Sequence, residues 1–405
     1  MDIIYQNLMA NFDEEILLSE VVSKYVVKSS ESSFEHQYLD KFAFPTHLYD
    51  TNTEFNLGIG NELENEQNEN DFLFAFWEGS YRDKECSDYF HISYKTFIKS
   101  VQSVIILLQE NGISKGDLIP FFSPSTIQVP IILCASMSLG AIYAPFNPES
   151  YKDEEDLAVG LKVLKTPPKL VITIDGYYNG TTFNNTKAFL DKALQLAFNR
   201  DLKCFVIRHA APHPGIPKPR KTTPGRRPNY DIILPWNNSK DFKWNLAISQ
   251  ISSNHNNYQT KFGNTLLSGN DNILFSNSTY INVLQFVIIA GLYKKVGKYE
   301  ITKDGINPPH LMLTSCHQPH FLSQIYSLVW GKVPFLVTEL LISEQTLGKR
   351  FNYLFSDYNV ESITIPLNMT MTLGPFIGKA SVIVVDDEVR TQKITGHLLT
   401  QPITS

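Results

Sequence analysis

Apolar residues recur at three- and four-residue spacing through Phe97, Val101, Val104, Ile105 and Leu108, which predicts a helix laying one apolar stripe on a sheet. Leu118 to Phe121 is a short, uninterrupted apolar run suited to a buried strand. Pro124 to Ser138 reads as the next helix, with Gly140 as its C-terminal cap, and Ala141 to Phe146 as the next strand, stopped by Pro148. Leu170 to Ile174 is a further strand, and Thr186 to Leu196 a helix after it. Helices alternating with non-alternating apolar strands across short connections imply right-handed crossovers and a parallel sheet. The strands 118–121, 141–146 and 170–174 are therefore expected to lie parallel.

The second half of the chain continues the alternation. Phe286 to Gly291 looks helical, His310 to Thr314 and Val333 to Val337 look like strands, and a helix from Phe321 to Trp330 between them is closed by Gly331. Phe351 to Tyr358 gives another helix and Ser362 to Ile365 another strand, ending at Pro366. Ser381 to Val385 is a last strand, read as a buried edge strand whose end carries the solvated acids Asp386, Asp387 and Glu388. A response-regulator receiver begins on a similar strand with paired acids, but it needs a further aspartate on a later strand. The fold class expected is α/β: layered parallel sheets with flanking helices.

Breaks in this pattern suggest an organisation. Residues 1–50 are weakly patterned and form an N-terminal extension; 51–260 are a first α/β subdomain, 261–380 a second, and 381–405 a C-terminal strand and tail. Asn61 to Asp71 is an acidic low-complexity stretch, expected as a solvated loop. Ala210 to Asn229 combines six prolines with Lys218, Arg220, Lys221, Arg226 and Arg227, so it can be neither helix nor central strand. It is read as a solvated surface loop, with a localisation signal or anion-binding patch as the other reading.

Composition narrows the partners. At 43% hydrophobic residues and 19% charged over 405 residues, the chain can bury a sizeable core. A net charge of −6 argues against a general nucleic-acid surface. The longest apolar stretch, Val283 to Leu292, is too short to span a bilayer, so no membrane is expected. The acidic start, with Asp2, Asp13, Glu14 and Glu15, shows no secretory signal; the cytosol is the expected location, with the nucleus open. Cys86, Cys134, Cys204 and Cys316 form no Cys-x-x-Cys unit, and Cys134 and Cys204 read as buried structural thiols. Cys316, His317 and His320 lack a matching acid or second cysteine, so no metal site is assigned.

The candidate chemistry sits at residues 271–284, where an apolar strand runs into Ser276, Ser278 and Thr279. A phosphate-cradling turn needs glycines, so that backbone amides approach the anion, and usually a nearby cation. Asn277 and Tyr280 stand at the glycine places and Val283 where a lysine would help. The stretch is either a ruined catalytic turn or a strand end that was never one.

Taken with Trp77-Glu78-Gly79, Ile92 to Phe97, Gly112 to Asp117, Ser136 to Ala144 and Leu170 to Gly176, the chain resembles the acyl-CoA synthetase group of adenylate-forming enzymes, and within it the acetyl-CoA synthetase branch. The resemblance runs thinly from about Glu54 to about Leu373. It implies an ATP phosphate loop, of which Ser276, Ser278 and Thr279 are the remnant; the family's Thr-Ser-Gly-Ser-Thr-Gly and Pro-Lys-Gly runs have lost their glycines and lysine here. It also implies a coenzyme A loop after Asp175, of which Asn179, Gly180 and Thr182 are the remnant, with the family's Arg-Gly-Gly-Lys cations absent. ATP with Mg²⁺, and coenzyme A, are the cofactors implied. The resemblance ends before the family's aromatic-Gly-Thr-Glu motif, ribose-binding aspartate, hinge and mobile C-terminal domain with its catalytic lysine.

Two functional readings follow. In the first, the chain is a degenerate, catalytically inactive relative that persists as a binding or regulatory module, paired with an intact acyl-CoA synthetase. In the second, it is an active ligase joining a short carboxylate to AMP and then to coenzyme A, with Ser276, Ser278 and Thr279 on the ATP phosphates. Hydroxyls alone give neutral hydrogen bonds, weaker than charge-assisted ones. Losing one preorganised donor costs about 3 kcal/mol of transition-state stabilisation, which favours the first reading. A truncated gene product without selected function is a third.

Overall fold

The computed structural model describes residues 26–28, 54–59, 71–82, 87–164, 166–179, 182–199, 201–210, 234–253, 265–276, 278–283, 285–287, 290, 308–313, 318–339, 353–366, 381–385 and 399–402. Its elements in chain order are β1 (Val26–Lys28), β2 (Glu54–Asn56), β3 (Leu73–Arg82), β4 (Ser87–Ser93), α1 (Tyr94–Glu110), β5 (Leu118–Phe122), α2 (Gln128–Leu139), β6 (Ile142–Phe146), α3 (Glu154–Lys162), β7 (Leu170–Ile174), β8 (Tyr177–Asn179), β9 (Thr182–Asn184), α4 (Thr186–Phe198) and β10 (Lys203–Ile207). They continue with β11 (Asp241–Lys243), α5 (Trp244–Ser253), β12 (Leu266–Ser268), β13 (Asn272–Ser276), β14 (Thr279–Asn282), β15 (His310–Met312), α6 (Pro319–Trp330), β16 (Phe335–Thr338), a short helix at 353–358, β17 (Ser362–Pro366), β18 (Ser381–Val385) and β19 (Leu399–Pro402).

Two seven-stranded sheets carry the fold. The first has the order β11-β10-β7-β5-β6-β13-β14 and is parallel throughout except for its last strand. The expected parallel relation of β5, β6 and β7 is present, with Leu118 opposite Ile142 and Phe121 opposite Ile172. The second has the order β19-β18-β17-β15-β16-β3-β4, a parallel centre with one antiparallel strand on each edge. The chain starts this second sheet at residues 73–93, builds the first from 118–282, and returns to finish the second from 310 onward.

Burial explains the non-alternating strands. All five residues of β5, β6 and β7 are buried, because helices cover both faces of the first sheet. On one face, Leu157, Leu161, Leu190 and Leu194 of α3 and α4 pack with Leu118, Phe122, Val171 and Val206. On the other, α1, α2 and α6 share one core with strands of both sheets, among them Ile119, Ile172, Phe74 and Phe335. Phe74 sits edge-on to Tyr94, Phe97 and Phe335, with ring centres 5.0–5.3 Å apart. From Val129 to Leu139 every residue of α2 is buried, so its sequence is apolar all round rather than striped. The buried Ser136 and Ser138 hydroxyls donate to the carbonyls of Ile132 and Cys134, which satisfies them within the helix.

Several boundaries differ from the sequence expectation for identifiable reasons. α2 starts at Gln128 rather than Pro124, because Ser123 extends the strand by donating its N–H to Phe146 and the Ser125 carbonyl accepts the Trp77 indole N–H at 3.1 Å. The turn after α6 reverses at Lys332 (φ +55°), not at Gly331 (φ −78°), and β16 begins only at Phe335. β18 is no edge strand: it lies between β17 and β19, in the same sheet as β3. The acids at 386–388, the cluster at 316–317, most of the acidic stretch at 61–71 and of the basic Pro-rich stretch at 210–229, and nearly all of residues 1–50 lie outside the described residues.

Gly140 caps α2 in the left-handed region (φ +65°), where an added Cβ would lie 2.6 Å from Leu267 Cδ2 and 3.1 Å from Thr265 Cγ2. Gly116 is also left-handed (φ +83°), but an added Cβ there meets nothing within 4 Å among the described residues. Both alanine substitutions meet the left-handed penalty of about 1–2 kcal/mol. Gly140→Ala adds overpacking of roughly 1–3 kcal/mol. Urea titration should therefore rank Gly140→Ala well below Gly116→Ala; equal losses would contradict the packing described.

Candidate functional site

Successive strands of the first sheet turn in opposite directions at one place. From β5 the chain places β6 on one side, then crosses back to place β7 on the other. In open parallel sheets the carboxyl ends of strands at such a point form the ligand-binding crevice. Here those ends are Phe122–Ser123 and Ile174–Asp175, with Ile207–His209 next to them.

Asp175 organises this edge. Its buried Oδ1 accepts the backbone N–H groups of Gly176, His209 and Ala210 at 2.8, 2.9 and 2.8 Å, tying the ends of β7 and β10 together. Thr173 Oγ1 donates to the Phe122 carbonyl at 2.9 Å, fixing β7 to β5. His209, placed by that carboxylate, reaches across to the second sheet: its Nε2 lies 2.6 Å from Glu339 Oε1, with both side chains at most 10% exposed. The Glu339 N–H in turn donates to the Glu78 carbonyl. The Trp77 ring stands edge-on to the imidazole at 5.0 Å, and the Tyr358 hydroxyl donates to Glu78 Oε1.

The electrostatics of this junction are acidic. Burial pulls the His209 imidazole down, but the Glu339 charge and hydrogen bond, helped by Asp175, outweigh it and hold the ring above its ordinary value. Glu149, just beyond β6, is pushed up to about 7 by desolvation, with Glu339 adding to it. Desolvation and the same two carboxylates raise Tyr177. Arg208 is drawn down by burial. The arrangement keeps His209 protonated against Glu339; it offers little to a polyphosphate.

The residues singled out from sequence stand elsewhere. β13 and β14 form an antiparallel hairpin in which Ser276 pairs with Thr279, so the connection is two residues, 277–278. Ser276 is buried, Thr279 half-buried, and Ser278 exposed in the left-handed region (φ +61°); Asn277 lies outside the described residues. The coenzyme A remnant has the same form: Asn179 pairs with Thr182 across residues 180–181, both side chains exposed, with Gly180 outside the described residues. β5 and β6 separate β13 from β7, so three inter-strand steps, about 14 Å, lie between the bases of the two hairpins. Sequence reasoning passed over His209, Glu149 and Glu339. Their signal was a polar residue just past the apolar run of a strand, as in Cys204 to His209 and Phe335 to Glu339.

A second buried polar cluster is structural. His310 Nδ1 lies 2.7 Å from Ser362 Oγ, and its Nε2 lies 2.8 Å from Thr364 Oγ1 and 3.2 Å from Gln324 Nε2. Burial drops its pKa to about 3, so the ring is neutral at any ordinary pH. Among the described residues no group of three or more His, Cys, Asp or Glu is spaced to hold a metal, and no helix is long and apolar enough to cross a membrane.

No protein-family model matches the chain. It is 26% identical over 182 residues to the acetyl-coenzyme A synthetase of Drosophila melanogaster, covering 43% of this chain and 24% of that protein. It is 26% identical over 193 residues to the acetyl-coenzyme A synthetase of Escherichia coli K12, covering 47% and 25%. The crystal structure of Brucella canis acyl-CoA synthetase superposes with a TM-score of 0.55 at 12% identity, covering 92% of this chain and 53% of that one. The matched stretches thus amount to about a quarter of the curated synthetases. Together the matches support an adenylate-forming superfamily member with that superfamily's α/β fold, at low identity and partial coverage.

The two buried histidines should titrate oppositely. His209 gains its partner in the folded state, so its stabilising contribution is complete below the ordinary value of 6.5 and is lost as pH rises through its higher folded value. His310 is neutral when folded, so its contribution is present above 6.5 and falls away as pH drops toward about 3. Imidazole NMR should place the His209 midpoint above 6.5 and lower it in Glu339→Gln, with no His310 midpoint down to pH 5. A His209 midpoint indifferent to Glu339→Gln would contradict the pair.

Proposed function

We propose that this chain, an acetyl-CoA-synthetase-like relative of the adenylate-forming enzymes, makes no acyl-adenylate and serves as a binding or regulatory module. The observation that supports this reading is the two-residue connection between β13 and β14. A loop that wraps a triphosphate turns several consecutive amides into one concavity. Here the backbone on both sides of the turn is committed to strand pairing, from Ser276–Thr279 back to Asn272–Asn282. Tyr280 packs edge-on against Phe275 at 4.9 Å, and Val283 is fully buried. Ser276, Ser278 and Thr279 keep hydroxyls from the resembled loop, without its glycines or its cation. The carboxylates of Glu78, Glu339 and Asp175 at the switch point, with His209 already paired to Glu339, support the same reading, since they disfavour a polyanion.

Purified protein supplied with ATP, Mg²⁺, acetate and coenzyme A should release no acetate-dependent pyrophosphate above background. Turnover of about one per second, a modest enzymatic rate, that disappears in the Ser278→Ala, Thr279→Ala double variant would overturn the proposal. Combining Asn277→Gly, Tyr280→Gly and Val283→Lys should not create a phosphate site, because the hairpin has no loop for the glycines to reshape. It should cost at least about 3 kcal/mol of stability, through a cavity beside Phe275 and a charge in place of a buried valine. A stable variant that gained ATP affinity would argue for an open loop instead.

A further inference from the structure

The amino ends of β10 and β11 lie at the opposite edge of the first sheet from His209 and Glu339. There a cavity of about 510 Å³ opens between α4, the connection from α4 to β10, and residues 235–241. Asp191, Asp201 and Asp241 line it. Buried Lys187 pairs with Oδ2 of both Asp191 and Asp241, at 2.5 and 3.1 Å. Lys240 Nζ lies 3.6 Å from Asp191 Oδ1 and 3.5 Å from Asp201 Oδ1. Lys192, also on the wall, is held by Glu154 at 2.9 Å. With Lys192 paired to Glu154, three carboxylates face the two remaining ammonium groups, those of Lys187 and Lys240. The C-terminal end of α4 adds partial negative charge, and its last turn carries no basic residue to offset it.

The independent sign of a ligand is Asp241. Its side chain is 1% exposed. Its Oδ2 accepts the Asn237 N–H at 2.7 Å as well as facing Lys187, while its Oδ1 has no hydrogen-bond partner among the described residues. Asp191 Oδ1 is likewise without a hydrogen-bond donor among them. A buried carboxylate oxygen calls for an N–H donor. The acids are not grouped closely enough to hold a metal ion. Beside them Trp236, its indole N–H held by Asn238 Oδ1 at 3.0 Å, stays 36% exposed, and Leu194, Leu202 and Pro235 supply apolar wall.

We propose that this cavity binds a small organic cation: a primary ammonium on an apolar stem, with the ammonium toward the Asp191–Asp241 pair and the stem against Trp236. One added positive charge balances the three carboxylates, and the indole face buries the apolar stem. The site is separate from the hairpins and from the question of adenylation.

The test is calorimetric titration of the full chain with 1,4-diaminobutane and with butylamine, using butyrate and sodium chloride as controls. Saturable heat with the amines and none with the controls is expected. Trp236→Ala and Asp201→Asn each change an exposed side chain and should leave the fold intact while weakening binding by about fivefold. Asp241→Asn should weaken it by more than about tenfold. That variant also disturbs the Lys187 pair, so the two exposed variants decide the case. No saturable amine binding, equal heats with sodium chloride, or affinity unchanged in both exposed variants would overturn the proposal.

Discussion

A backbone amide can donate to a neighbouring strand or to a phosphate oxygen, and residues 272–276 and 279–282 are paired as neighbouring strands. Ser276 pairs with Thr279 across two residues, and the register is locked by Phe275 against Tyr280 and Leu274 against Ile281. Ser278 adopts the left-handed conformation at a cost of about 1 kcal/mol for a non-glycine residue, which the paired strands on either side offset. The hairpin after β7 closes in the same way across residues 180–181. It packs so closely that a Cβ on Gly176 would fall 2.3 Å from the Phe183 ring. Two segments that resemble cofactor loops are therefore built as tight turns.

What remains at the switch point is a device for joining sheets. Asp175 gathers three amides, positions His209, and so lets an imidazolium meet Glu339 from the other sheet in a water-poor junction. Glu149, pushed up to about 7, stands near the same carboxylate. Rising pH thus removes a favourable ion pair and adds a like charge at one place. Both changes weaken the contact between the sheets as pH rises through the raised His209 value.

Local periodicity made the first sheet legible. The stripe from Phe97 to Leu108 and the solid apolar runs of β5, β6 and β7 encode an element and its two-sided burial directly in sequence. The second sheet was harder, because the β3–β4 pair joins the rest of the sheet only where β3 meets β16, far along the chain, which no window of residues reports. β19 was missed because four residues containing a proline carry no pattern. Asn277-Ser278 lacks the glycine that announces a two-residue hairpin, so the turn could not be told from a damaged loop. His209 and Glu339 are each a polar residue after an apolar run, and only the fold brings them to 2.6 Å.

The central proposal is that the β13–β14 hairpin does not serve as a triphosphate site. Calorimetric titration of the purified chain with ATP, with and without Mg²⁺ and acetate, tests it most directly. The hairpin predicts no saturable binding at millimolar nucleotide. Saturable micromolar binding that was lost on changing Ser276 or Thr279 to alanine would contradict it.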